Sequence, residues 1–172
     1  IFSQNCWYGE KGEFTGEMSP KMLKSIGVKG SIIGHSERRS MGETSKLLNK
    51  KIKELVKEGM DIIFCIGEKL EERDNVKDII EKQISEGLED IKDINNIIIA
   101  YEPIWSIGTN IKVDIKNIED VAKIIFDYCK KNYEGNINIL YGGSVNENNC
   151  KEIMKVENIN GGLVGRKSLN IE

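Results

Sequence analysis

Six short apolar runs, at residues 1–4, 31–34, 62–66, 97–101, 137–141 and 162–165, alternate along this chain with helix-patterned segments, and no hairpin turn joins any two of them. Strands separated by helices re-enter a sheet through right-handed crossovers, so the alternation dictates an α/β fold with a parallel sheet. The fourth run, Ile97-Ile98-Ile99-Ala100-Tyr101, carries β-branched or aromatic residues on both faces, as a strand covered on both sides does. In such architectures ligands bind at the carboxyl ends of the strands, which is where chemistry is to be sought.

The intervening segments carry helix signals. Ser19-Pro20 is an N-cap followed by proline at the first helical position, with Gly27 as the stop. Thr44 caps a helix with Leu47, Leu48, Ile52, Leu55 and Val56 at three- and four-residue spacings, closed by Gly59. Val76, Ile79, Ile80, Ile84 and Leu88 form the stripe of the next, and Ile115, Ile118, Val121, Ile125 and Tyr128 that of a helix capped by Asp114 and ending near Gly135. A further helix is expected over 146–155. The loop from Asn5 to Met18 is long for a βα connection, and loops of that length are commonly functional.

No linker, low-complexity tract or composition shift divides the chain, so residues 1–172 read as a single domain. Its apolar runs are far too short to cross a bilayer, and no membrane partner is expected. The net charge is −3, with 25 basic residues interspersed among 28 acidic ones, which disfavours a nucleic-acid partner. Cys6, Cys65, Cys129 and Cys150 are widely spaced, so reduced thiols in a cytoplasmic protein are expected. His35 is the single histidine and leaves no cluster for a metal, so neither metal nor cofactor is expected. The chain opens without Met, basic region or cleavage site, unlike a complete secretory product.

Five strand ends carry candidate groups: Asn5, His35 with Glu37, Glu102, Ser144 after two glycines, and Gly165 followed by Arg166. Taken singly, Glu102 reads as well as a solvated loop carboxylate, His35 as a structural histidine and each glycine pair as a turn. Together they read differently. Glycine turns on the last two strands of a βα alternation are where barrels of this class hold phosphate, through free backbone N–H groups. A histidine just before a helix start is held neutral and can donate to a carbonyl. With a carboxylate base at Glu102 it suits proton abstraction beside a carbonyl through an enediolate. Pro103 and Trp105 stiffen the start of a loop whose tip, Gly108-Thr109, is small, as a lid requires.

His35-Ser36-Glu37-Arg38-Arg39 after Ile32-Ile33-Gly34, Cys65-Ile66-Gly67-Glu68, Tyr101-Glu102-Pro103-Ile104-Trp105 with Ile107-Gly108-Thr109, Tyr141-Gly142-Gly143-Ser144-Val145 and Leu163-Val164-Gly165 with Ser168-Leu169 together resemble triosephosphate isomerase. So does Gly12 with Phe14-Thr15-Gly16-Glu17, and the motifs run in order from end to end of the chain. The resemblance implies a (β/α)8 TIM barrel, here a partial one of six βα units corresponding to strands three to eight. It also implies interconversion of dihydroxyacetone phosphate and D-glyceraldehyde 3-phosphate, in glycolysis and gluconeogenesis. Triosephosphate isomerases are themselves the reference case of a glutamate base paired with a neutral histidine under a closing loop.

In that likeness Glu102 moves the proton, His35 polarises the carbonyl and shuttles protons between oxygens, and Glu37 supports the polar network beneath. A lid over 103–113 closes on the substrate, with the N–H of Gly108 reaching the phosphate alongside Ser144, Gly165 and Arg166. The Cys6 to Met18 loop corresponds to the arm that builds a homodimer, with Thr15 at its tip approaching the neighbouring active site.

Four departures stand out. Asn110 and Arg166 replace glycines usual to the pattern, and the segment Arg39-Ser40-Met41-Gly42-Glu43 is one residue short. The family's first two βα units, with the strand-one Asn and Lys that bind substrate, and its C-terminal end lie outside this pattern of motifs. Six strands cannot close an eight-stranded barrel, so a fragment, poorly folded and inactive by itself, is expected. Two alternatives keep the same fold: a non-catalytic remnant serving as a binding protein, and another phosphate-binding barrel enzyme.

Overall fold

The computed structural model describes residues 1–10, 12–107 and 113–169. Six strands, β1 (Phe2–Ser3), β2 (Gly30–Ile33), β3 (Asp61–Ile66), β4 (Ile97–Tyr101), β5 (Asn138–Tyr141) and β6 (Gly161–Gly162), form one sheet in sequence order. Every neighbouring pair is parallel. Ile33 lies beside Phe64, Phe64 beside Ile99 and Ile99 beside Ile139, so the carboxyl ends of the four central strands open on the same side. This is a partial (β/α)8 barrel.

The helices are α1 (Pro20–Ser25), α2 (Ser36–Ser40), α3 (Ser45–Lys57), α4 (Val76–Gly87), α5 (Ile115–Asn132) and α6 (Cys150–Ile153). Short 3-10 segments occupy Leu70–Asn75, Ile104–Ser106 and Arg166–Leu169. The hydroxyls of Ser19 and Thr44 and the carboxylate of Asp114 accept N–H bonds from the first turns of α1, α3 and α5, each satisfying a donor the helix cannot. Leu48, Ile52 and Leu55 of α3, Ile80 and Ile84 of α4, and Ile118 and Ile125 of α5 pack with Ile62, Phe64, Ile97, Ile99 and Ile139 in one buried core. Gly87 lets α4 approach the sheet, since a Cβ there would stand 2.3 Å from the Phe64 ring. No helix among the described residues is long and apolar enough to cross a membrane.

Several expected boundaries shift. The helix expected over 146–155 shrinks to α6, because the asparagines before it bond to nearby backbone instead. Asn146 and Asn149 each donate to the Ser144 carbonyl, and their side-chain oxygens take the N–H groups of Asn148 and Asn146. The last strand is confined to Gly161–Gly162 rather than 162–165. On α3 the expected Val56 is exposed, while Asn49 and Lys51 are buried. On α5 Cys129 joins the fully buried stripe, with Tyr128 packed at its edge.

The long 5–18 loop is closed by the Trp7 N–H bonded to the Met18 carbonyl, and its rings stack, with Trp7 centroids 4.2 Å from Tyr8 and 4.8 Å from Phe14. It leans on α3, where Lys50 lies over Tyr8 and Lys57 pairs with Glu10.

Candidate active site

Glu102 leaves the end of β4 with its N–H bonded to the Ile66 carbonyl of β3, and its residue is only 3% exposed. Two glycines make room for it, and a third clears the loop beyond. A Cβ on Gly67 would stand 1.8 Å from the Glu102 carbonyl oxygen, and one on Gly142 would meet the Glu102 Cγ at 2.9 Å. One on Gly143 would press on the Tyr141 hydroxyl at 2.2 Å and the Ser106 hydroxyl at 2.8 Å. Part of what reads in the sequence as a phosphate-cradling glycine pair is therefore space for the neighbouring carboxylate and its loop.

His35 is the N-cap of α2, and its Nδ1 accepts the Glu37 N–H at 3.3 Å. With Nδ1 occupied as an acceptor, a neutral ring carries its proton on Nε2. That atom faces Glu102 Oε1 at 3.2 Å, while Glu102 Oε2 accepts the Ser36 N–H at 3.3 Å. Burial raises the Glu102 carboxyl above the ordinary carboxylate range, opposed by His35, the Ser36 N–H, the Cys65 thiol and the Arg39 guanidinium. A nearly buried carboxylate and an imidazole N–H thus share one pocket from the ends of β4 and β2. The pair can take a proton from carbon and polarise an adjacent carbonyl.

The other sequence candidates are placed as follows. The Glu37 carboxylate is exposed, 3.9 Å from His35 Nδ1, and it is the Glu37 backbone that holds the ring. Ser144 has a left-handed backbone at φ 48°, and its hydroxyl donates to the Ser106 carbonyl at 2.7 Å, tying the turn after β5 to the loop after β4. Gly165 and Arg166 are exposed at the end of β6, with nothing within 4 Å of where a Gly165 Cβ would be. Gly108 and Asn110, and with them the lid tip, lie outside the described residues, as part of the expected 103–113 lid does. Among the described residues no cluster of His, Cys, Asp and Glu is arranged to hold a metal.

Side chains that sequence reasoning gave no role frame the pair. Arg39 donates to the carbonyls of Gly34 and Cys65, at 2.9 Å each, and lies 5.9 Å from the Phe64 ring centre, tying the end of β2 to that of β3, the strand beside Glu102. Glu68, 2% exposed, accepts from Tyr101 at 3.1 Å and from the Trp105 indole at 2.7 Å. The segment Cys65-Ile66-Gly67-Glu68 was the available signal, as a motif without a mechanism.

Fold and site together place the chain among barrel enzymes, with a buried carboxylate and a histidine at the carboxyl ends of parallel strands. A profile described as triosephosphate isomerase matches residues 1–172. Proteins named triosephosphate isomerase are 42% identical over 177 residues in Chlorobium phaeobacteroides and 45% identical over 176 residues in Thermodesulfovibrio yellowstonii. Each alignment covers 99% of this chain, and 71% and 72% of those relatives. A further relative of that name, from Chlorobaculum tepidum, is 41% identical over 180 residues, with 100% of this chain and 73% of the relative covered. The chain belongs to the triosephosphate isomerase family.

Proposed function

We propose that this chain supplies the proton-transfer centre of a triose-phosphate isomerase that interconverts dihydroxyacetone phosphate and D-glyceraldehyde 3-phosphate, in glycolysis and gluconeogenesis. The observation that carries the reading is the Glu102–His35 pair, 3.2 Å apart, in a family member. Glu102 takes the proton from the carbon beside the carbonyl. The electron pair left behind forms an enediolate, and the same proton returns from the carboxyl to the neighbouring carbon. His35 donates from Nε2 to the carbonyl oxygen, and moves a proton from one oxygen to the other as the double bond shifts. Burial suits Glu102 to this exchange, since a raised carboxyl pKa makes a better base toward carbon.

The phosphate lies toward Ser144, Gly165 and Arg166, with Gly108 completing the grip from the lid. Arg166 contributes through its backbone N–H. Glu37 supports the polar network through its backbone N–H, which bonds to the His35 ring. The substrate is a small triose phosphate and no cofactor takes part. The loop from Cys6 to Met18 forms the contact of a homodimer, and the protein works in the cytoplasm. A sheet of six strands leaves an eight-stranded barrel open, so these 172 residues assayed by themselves are expected to be inactive.

The test has two arms. The purified 172-residue chain is assayed for turnover of glyceraldehyde 3-phosphate; none is expected, and measurable turnover overturns the claim of inactivity. A completed protein, carrying the parts of the Thermodesulfovibrio yellowstonii relative that lie outside the matched residues, is then assayed with and without Glu102→Gln. The unsubstituted form should isomerise, and the substitution should lower kcat by about 10²–10⁴-fold with the fold intact. A Glu102→Gln protein of undiminished activity refutes the assignment of the base.

A further inference from the structure

Glu102 is the first residue of a segment gripped at Ser106 by the Ser144 hydroxyl and, nearer its start, from the end of the preceding strand. The Ile104 N–H bonds to the Glu68 carbonyl at 3.1 Å, and the Trp105 indole N–H bonds to the Glu68 carboxylate at 2.7 Å. Beyond them the 3-10 segment Leu70–Asn75 brings Arg73 over the Trp105 ring, its guanidinium carbon 4.3 Å from the ring centre. Trp105 is thus held by its N–H edge from Glu68 and by one face from Arg73, and only 8% of it is exposed.

The Glu68 carboxylate is itself short of partners. The Tyr101 and Trp105 donors both converge on Oε1, and among the described residues the buried Oε2 has no hydrogen-bond partner. Burial pushes its pKa up, and the Arg73 charge is among the influences opposing that. One guanidinium therefore does two things: it covers the indole face, and it supplies positive charge near a buried carboxylate that the indole must bond to.

We propose that Arg73 is a positioning residue for the proton transfer, seating Trp105 on Glu68 and so fixing the start of the loop that presents the Glu102 carboxylate. It touches neither substrate nor the reacting atoms. The inference rests on the reading of Glu102 as the base for its catalytic consequence, whereas the seating of Trp105 stands on geometry alone.

The test uses the completed protein, labelled with 5-fluorotryptophan and read by fluorine NMR, with the Trp105 resonance assigned by Trp7→Phe. Arg73→Met keeps length and apolar cover and drops the charge, while Arg73→Lys keeps the charge and drops the planar stack. Arg73 is exposed, so both variants should fold, with unfolding midpoints near that of the parent. The expected result is a shifted and broadened Trp105 resonance in Arg73→Met, an intermediate shift in Arg73→Lys, and a stationary Trp7 resonance in both. In activity, Arg73→Met should lower kcat about tenfold while KM changes less than about twofold, with partial recovery in Arg73→Lys. An unmoved Trp105 resonance in Arg73→Met overturns the proposal, as does a moved resonance with unchanged kcat. If the unsubstituted completed protein does not isomerise while the resonance still moves, the functional reading fails and the seat stands.

Discussion

Replacing Lys51 by Met tests the least expected feature of the fold, a lysine on the buried face of α3. Lys51 is 2% exposed and its Nζ donates to Glu43 Oε1 at 2.7 Å and to Asn5 Oδ1 at 2.8 Å. Arg38 reaches the same Glu43 oxygen at 2.8 Å from Nε and 2.6 Å from Nη2. The Lys51→Met side chain fills most of the space, so the loss is electrostatic: Glu43 keeps one cation of two, and Asn5 Oδ1 loses its donor. Removing one partner of a buried pair costs about 3–5 kcal/mol, and the surviving Arg38 contact places this case near about 3 kcal/mol. In a completed protein of the relatives' size, that corresponds to a melting temperature lower by about 6–12 °C.

Urea unfolding at fixed protein concentration measures it, since the fold is expected to be dimeric. Glu43→Gln should cost a comparable amount, and the double variant less than the two together, because neither then leaves a lone buried charge. The pH dependence carries the sign. Burial raises the Glu43 carboxyl, but the bonds from Lys51 and Arg38 outweigh it and hold the carboxyl below its usual range. Its stabilisation is thus present above the unfolded carboxyl's pKa and is lost as pH falls through the lower folded value. Lys51→Met should move that acid limb to higher pH. A cost below about 1 kcal/mol, with an unmoved acid limb, would refute the reasoning.

Two further outcomes follow from the site. The raised Glu102 pKa means that its contribution to folding is complete below the unfolded carboxyl's pKa and is lost as pH rises through the higher folded value; Glu102→Gln should therefore be more stable than the parent at neutral pH, the advantage shrinking toward pH 4, as denaturant titrations across pH would register. Gly67→Ala would drive a methyl to 1.8 Å from the Glu102 carbonyl oxygen, which is backbone and cannot swing aside; a loss of about 1–3 kcal/mol by urea unfolding is expected, together with reduced kcat.

The fold was legible because it rests on local signals. Caps at Ser19, Thr44 and Asp114, glycines after the helices, and β-branched runs in the strands each act within a few residues, and each sits where the structure places it. The expectation failed where local signals compete. Asn146, Asn148 and Asn149 could as readily bond a neighbouring backbone as cap a helix, and the turn they make leaves α6 one turn long. The two-residue strands β1 and β6 are short because each pairs on one side only, a property of the sheet and not of its residues.

The site divides the same way. Glu102, His35 and Ser144 follow strand ends, and chain order places them at the same end of a parallel sheet. Their supports are made between residues far apart in sequence: Arg39 on Cys65 across 26 positions, Trp105 on Glu68 across 37, Lys51 on Asn5 across 46. No spacing rule reaches that far, yet one of these partners left a trace. Lys51 follows Leu48 by three residues and precedes Leu55 by four, the very spacing that assigns those leucines to the buried stripe. A lysine in that register must either leave the core by its long stem or find a buried acceptor, because an unpaired ammonium there is too costly. With Asn5 and Glu43 both beside strand-end segments, the second outcome ties the root of the long loop to the residues following His35. A charged residue inside an apolar stripe is thus a sequence-level demand for a distant carboxylate, and its position says which layer of the barrel must supply it.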